Sequence, residues 1–185
     1  MTDFLDTVNG SRTSITSTTN RYIVGPTVEL RLPLGFGVEA DALYRHFRYN
    51  SAASLVDAVA TINTSGSAWE FPLLLKKRLF HGPIRPFLDA GISFNKITGL
   101  SQTVQTVVFP NRTTTSSNDN PPELRDSYSS GFTMGGGVEI KALLLRVTPE
   151  IRYTRWGTRQ FNSAISSGNL RSNLNQAEFL VGITF

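Results

Sequence analysis

With 185 residues the chain has the length of one domain. Its formal net charge of +4 is spread along the chain rather than gathered in runs, which argues against nucleic acid as a partner. Cysteine is absent, excluding disulfides and thiolate metal sites, and the densest apolar run, Phe71-Pro72-Leu73-Leu74-Leu75, falls far short of the ~18 residues of a transmembrane helix. If this chain crosses a membrane, it must do so with strands. Met1 is followed by Asp3 and Asp6 rather than by a basic and then an apolar stretch, so no signal peptide is expected in it. It is expected to be cytosolic, or exported and given in mature or trimmed form.

Residues 1–20 are rich in Ser, Thr and Asn and read as a polar loop or N-terminal segment; residues 21–185 carry the strands. Alternation begins at Tyr22, with Val24, Val28, Leu30 and Leu32 on one face and Ile23, Glu29 and Arg31 on the other. A tight Pro33-Leu34-Gly35 link leads to Phe36, Val38, Ala40, Ala42 and Tyr44, which oppose Glu39, Asp41, Leu43 and Arg45. Residues 50–66 read as a longer connection. Trp69, Phe71, Leu73, Leu75 and Leu79 then face away from Glu70, Leu74, Lys76 and Arg78. After His81-Gly82-Pro83, a fourth strand sets Ile84, Leu88, Ala90, Ile92 and Phe94 against Arg85, Phe87, Asp89 and Asn95.

Residues 97–126 read as a long Thr/Ser/Asn/Pro-rich loop, most mobile around Thr113 to Pro122. Phe132, Met134, Val138 and Ile140 oppose Thr133, Glu139 and Lys141; Leu145, Val147, Ile151 and Tyr153 oppose Arg146, Thr148, Glu150 and Arg152. Residues 157–172 form another polar loop. The last strand sets Phe179, Val181, Ile183 and Phe185 against Glu178, Leu180, Gly182 and Thr184. Long connections fall at one end of the strands and tight turns at the other, as in outer-membrane barrels.

Charge placement orients the two faces. Glu29, Glu39, Asp41, Glu70, Asp89, Glu139, Glu150 and Glu178 all lie on the polar face. So do Arg31, Arg45, Lys76, Arg78, Arg85, Lys141, Arg146 and Arg152. Basic residues in the apolar register occur only near strand ends, as Arg48, Lys96 and Arg155 at the long-connection end and Lys77 near the turns. That obeys the depth rule for a lipid-facing surface, where Arg or Lys costs about 2–4 kcal/mol at mid-depth and little at the interface. Tyr22, Tyr44, Trp69, Phe94, Phe132 and Tyr153 gather near the long-connection end like an interfacial girdle. The fold expected is therefore an all-β, antiparallel up-and-down transmembrane β-barrel, with its apolar face to lipid and its charges paired within a filled interior. Gly91, Gly135, Gly137 and Gly182 on the polar face are expected to leave room for long Arg side chains.

Seven strands are readable, and a single-chain bacterial barrel has an even number, so a first strand is missing or irregular. Two edges are then unpaired unless the ends meet or another chain pairs with them. From Tyr22 to Phe185 the chain resembles the small eight-stranded outer-membrane β-barrels, the OmpA/OmpX-like family. The likeness rests on strand rhythm, Trp69-Glu70-Phe71-Pro72, Pro83-Ile84-Arg85-Pro86, Met134-Gly135-Gly136-Gly137 and the terminal Phe185. It implies residence in the outer membrane of a Gram-negative bacterium, among outer-membrane lipid and lipopolysaccharide. It also implies that Phe179, Val181, Ile183 and Phe185 are read as an insertion signal by the barrel assembly machinery.

No triad, metal cluster or phosphate loop is visible, and no cofactor is expected. The leading expectation is a non-enzymatic barrel with a structural, anchoring or loop-mediated interaction role. Its rim bases Arg48, Lys96 and Arg155 are placed to meet anionic head groups or to snorkel. A lipid-modifying enzyme around His46, with Ser51 or Ser129 as nucleophile, is the second reading; a soluble lipocalin-like carrier with its apolar face inward is the third.

Overall fold

The structure is a computed structural model, and it describes residues 5–7, 13–17, 22–55, 58–108, 112–118, 127–142, 144–158, 170–172 and 174–184. The strands are β1 (Leu5–Thr7), β2 (Thr13–Ser17), β3 (Thr27–Arg31), β4 (Phe36–Asp41), β5 (Leu43–Leu55) and β6 (Ala58–Arg78). They continue with β7 (Ile84–Val108), β8 (Arg112–Asn118), β9 (Tyr128–Ala142), β10 (Leu145–Trp156), β11 (Leu170–Ser172) and β12 (Asn175–Thr184). Neighbours in sequence pair antiparallel in the order β12-β10-β9-β7-β6-β4-β3; β5 continues the line of β4 along β6, β2 pairs β5, and β8 pairs β7. The short β1 pairs β11.

The tight β3–β4 link is built from backbone of unusual handedness. Leu34 and Gly35 have φ of 62° and 78°, and the Leu32 N–H closes on the Phe36 carbonyl at 3.0 Å. Positive φ at both central positions matches the right-handed twist of the flanking strands, as in a primed hairpin turn.

The apolar face is outside. Leu73, Val181 and Ile151 are 47%, 54% and 65% exposed, whereas Glu70 and Arg152 are each 2% exposed. A soluble carrier would show the reverse. The polar face is enclosed because the sheet rolls up: Arg152 on β10 bonds Asp41 on β4, and Arg45 on β5 bonds Glu178 on β12, across the interior between strands that are not neighbours.

The strands run further than their composition suggests. Residues expected to form connections at 50–66 and 97–126 instead prolong β5, β6 and β7, and Thr113 to Asn118 belong to β8; 119–122 lie outside the described residues. Threonine and valine fit a pleated surface as well as an exposed loop, so a polar stretch rich in them is ambiguous until its partner strand is known. Together β2, β8 and the far ends of β5, β6 and β7 make a sheet projecting beyond the aromatic level. Likewise β1 and β2 lie within the stretch read as a polar N-terminal segment.

Closure is incomplete among the described residues: β3 and β12 have no backbone pairing with each other. A slot of about 900 Å³ lies between them and opens onto the interior: Val24, Pro26 and Thr27 line one side, Leu180, Gly182 and Thr184 the other, and Glu39, Asp41, Lys76, Glu139, Glu150 and Arg152 lie within.

Candidate functional site: the charged interior and the rim

Alternation sends Glu39, Asp41, Glu150 and Arg152 inward, and the rolled sheet brings them together. Arg152 is the hub, with Nε 2.7 Å from Glu150 Oε1, Nη1 2.7 Å from Asp41 Oδ2 and Nη2 3.0 Å from Glu39 Oε1. The planar guanidinium can serve several carboxylates at once, which an ammonium cannot do in fixed geometry. Lys76 pairs with the other oxygen of Glu39 and lies 4.2 Å from the centre of the Phe87 ring.

Nearer the long-connection end, Arg45 pairs with Glu178 and with Glu70 at 3.4 Å. Gln176 donates to Glu70 at 3.1 Å and accepts from the Trp156 indole at 2.9 Å. At the turn end, Arg78 holds Glu29 and lies 3.0 Å from Glu139. Arg31 reaches Glu29 and Glu139 at 3.5 Å, and Arg85 is 3.8 Å from Glu139 while donating to the Gly82 carbonyl at 2.7 Å. Arg146 is half-buried on the slot, and Lys141 is exposed.

Two details differ from expectation. Not every buried polar group is paired: both Asp89 carboxylate oxygens and both Asn95 amide atoms lack a hydrogen-bond partner among the described residues. The space at Gly135 serves carboxylates rather than arginine, since a Cβ there would lie 2.6 Å from Asp89 Oδ1 and 3.2 Å from Glu150 Oε1.

An apolar lid above the charges was not anticipated. Phe47, Ala68, Ile97 and Leu100 are buried on the inner face. Phe47 lies across Gly66, where a Cβ would be 2.8 Å from its ring, and Leu100 closes the other side. Gly66 sits at a register shift between Ser65 and Ser67, the bulge that lets the ring approach. The Arg45-His46-Phe47 alternation in the sequence carries this signal, since Phe47 shares the parity of Arg45.

On the outer face, Tyr44, Trp69, Lys96 and Tyr128 stand in register across β5, β6, β7 and β9. Tyr44 and Trp69 have ring centres 5.1 Å apart, Trp69 stacks on Phe71 at 6.2 Å, and Lys96 Nζ lies 5.2 Å from the Tyr128 ring centre. At the other end Lys77 Nζ is 4.0 Å from the Phe36 ring centre and donates to the Leu34 carbonyl at 2.7 Å. Trp69 to Lys77 spans about nine residues, the length a tilted strand needs to cross the hydrocarbon. Of the other expected girdle aromatics, Phe94 and Phe132 are exposed lower on the sheet, Tyr153 is half-buried and bonds Asn175 at 2.8 Å, and Tyr22 is exposed beside the slot. Arg155 is exposed next to the end of β10, whereas Arg48, expected near a strand end, is exposed in the middle of β5, which runs on to Leu55. Phe179, Val181 and Ile183 are exposed on β12, which pairs with β10 and has its other edge unpaired among the described residues, and Phe185 lies outside them.

His46 stands opposite Ser67, with Nδ1 3.4 Å from its hydroxyl, and not beside either serine considered from sequence. Ser129 is buried on β9 and donates to the Thr158 carbonyl at 3.1 Å; the Ser51 side chain lies outside the described residues. Arg48 Nε donates to His46 Nε2 at 3.3 Å, which assigns the ring proton to Nδ1. In that tautomer the ring donates to the Ser67 hydroxyl. Among the described residues there is no group of three or more His, Cys, Asp or Glu side chains able to hold a metal ion.

An antiparallel meander with its apolar side out and its charges within defines a transmembrane β-barrel domain. The chain belongs to the outer membrane protein beta-barrel domain family, whose model matches residues 1–157, so β12 lies beyond the matched stretch. No curated protein and no solved structure matches it significantly. It is an outer-membrane β-barrel domain protein.

Proposed function

We propose that this domain is a non-enzymatic anchor in the outer membrane of a Gram-negative bacterium, with a plugged interior and an interaction surface on its projecting sheet. The observation that carries this reading is the inverted burial: salt-bridged carboxylates and guanidiniums inside, leucines and valines outside. Once the slot beside β12 is closed, an interior of this width is plugged by its own side chains. The surrounding partners are outer-membrane lipid and lipopolysaccharide, and the barrel assembly machinery reads the segment from Phe179 to Phe185.

Parity supports closure by an eighth strand. With seven long strands in a meander, β3 and β12 run the same way, and an antiparallel barrel needs one strand running against both. β1, which pairs antiparallel with the β11 segment just before β12 in the chain, is the segment we assign to that direction. A strand continuing the line of β1 along the slot would pair both edges; pairing with a second chain is the alternative.

Purified chain should require detergent, show a β-rich spectrum and change gel mobility on heating. A monomer dispersed in plain buffer would refute the proposal. The second reading, a lipid-modifying enzyme, predicts lipid hydrolysis that His46→Ala abolishes.

A further inference from the structure

The outer face of β5 and β6 carries a polar chain above the aromatic row that the anchoring role does not use. Four side chains form it in series. Arg48 donates to His46 Nε2, His46 Nδ1–H donates to Ser67 Oγ, and Ser67 shares a hydrogen bond with the Tyr44 hydroxyl at 2.8 Å.

Hydrogen counting along this chain fixes its polarity. The Arg48 Nε–H and the imidazole N–H are each consumed by the next member. Ser67 and Tyr44 bring two hydroxyl hydrogens to a single contact, so one O–H is left to donate outward. Arg48 is exposed, and its Nη nitrogens have no hydrogen-bond partner among the described residues. The chain therefore offers a cationic fork and a hydroxyl, all donors. No carboxylate on the described outer strand faces competes for them, because Glu39, Asp41, Glu70, Asp89, Glu139, Glu150 and Glu178 are buried inside and Glu29 is turned to Arg78.

We propose that Tyr44, His46, Arg48 and Ser67 form a docking site for the phosphate of a phosphomonoester lipid head group. The inference rests on the reading that lipid wets the outer face. A phosphomonoester brings about −1.5 to −2 charge and three acceptor oxygens, the complement of an all-donor site. The acyl chains of such a lipid would run down over Trp69, Phe71 and Leu73, which are exposed directly below. That continuity of cationic donors with apolar surface favours a lipid over free phosphate. A guanidinium fork also matches phosphate better than an ammonium would.

Trp69 supplies the readout, because it is 36% exposed beside the site while Trp156, the other tryptophan, is buried inside. The protein is reconstituted in phosphatidylcholine vesicles containing a small share of either dibrominated phosphatidic acid or dibrominated phosphatidylcholine. Brominated phosphatidic acid is expected to quench Trp69 at a concentration about fivefold lower. Arg48→Gln and Ser67→Ala should each abolish the preference, and Arg112→Gln, an equal loss of charge on exposed β8, should leave it intact. Equal quenching by both lipids overturns the site, as does a preference surviving Arg48→Gln. Loss of the preference in millimolar inorganic phosphate overturns the lipid as ligand. Absence of quenching by either lipid in a protein that has inserted overturns the lipid-wetted face itself, and the site with it.

Discussion

Arg152 Nη1 lies 2.7 Å from Asp41 Oδ2, although β9, β7 and β6 stand between their strands in the sheet. This contact spans the interior and ties the two halves of the meander together. The same guanidinium holds Glu39 and Glu150, so one cation answers three carboxylates.

Replacing that cation should be severe. Arg152→Met leaves Glu39, Asp41 and Glu150 facing one another, with Lys76 still paired to Glu39. Breaking a buried ion pair by removing one partner costs about 3–5 kcal/mol. Urea unfolding in detergent micelles should register a loss of that size; a change below about 1 kcal/mol would mean the hub contributes little.

The lipid face predicts a depth profile. Leu73 lies midway between the aromatic row and Lys77, and Leu73→Arg should destabilise by about 2–4 kcal/mol, against about 0–1 for Tyr44→Arg at the rim. Equal costs at the two positions would contradict a bilayer around this face.

Gly135 is a packing requirement rather than a flexible point. A methyl group there meets Asp89 Oδ1 at 2.6 Å and the Ile151 carbonyl at 3.0 Å. Gly135→Ala should cost about 1–3 kcal/mol as overpacking, measured by the temperature at which gel mobility shifts. An unchanged transition temperature would show that the interior yields.

Leu34 offers the opposite sign. Its side chain is 84% exposed and its φ is 62°, a conformation that penalises a branched apolar residue and suits asparagine. Leu34→Asn should stabilise the protein by about 0.5–1 kcal/mol in the same unfolding assay. Destabilisation would mean the turn is held by something other than backbone preference.

With the slot beside β12 closed, the salt-bridged interior also predicts electrical silence. Reconstituted in a planar bilayer, the protein should give no stepwise conductance, since the charges around Arg152 and the lid of Phe47 and Leu100 occupy the path. Steady, repeated steps would show an open channel.

Much of this was legible along the chain because alternation is local. A side chain's parity within a strand decides its face, so the inward course of Glu70 and Arg152 and the outward course of Leu73 and Val181 could be read from spacing alone. The tight link at Pro33–Gly35 and the strand order followed from the same short-range rules. Three matters depended on tertiary structure. Which acid meets which base is set by how the sheet rolls and staggers, which places Arg152 against Asp41 and Arg45 against Glu178. Whether a Thr/Ser-rich stretch is loop or strand is set by a partner, as Val104 opposite Ser116 provides for β8. And the neighbour of His46 is set by register, which selected Ser67 from the adjacent strand, because hydrogen-bonded pairing joins residues that no local pattern relates.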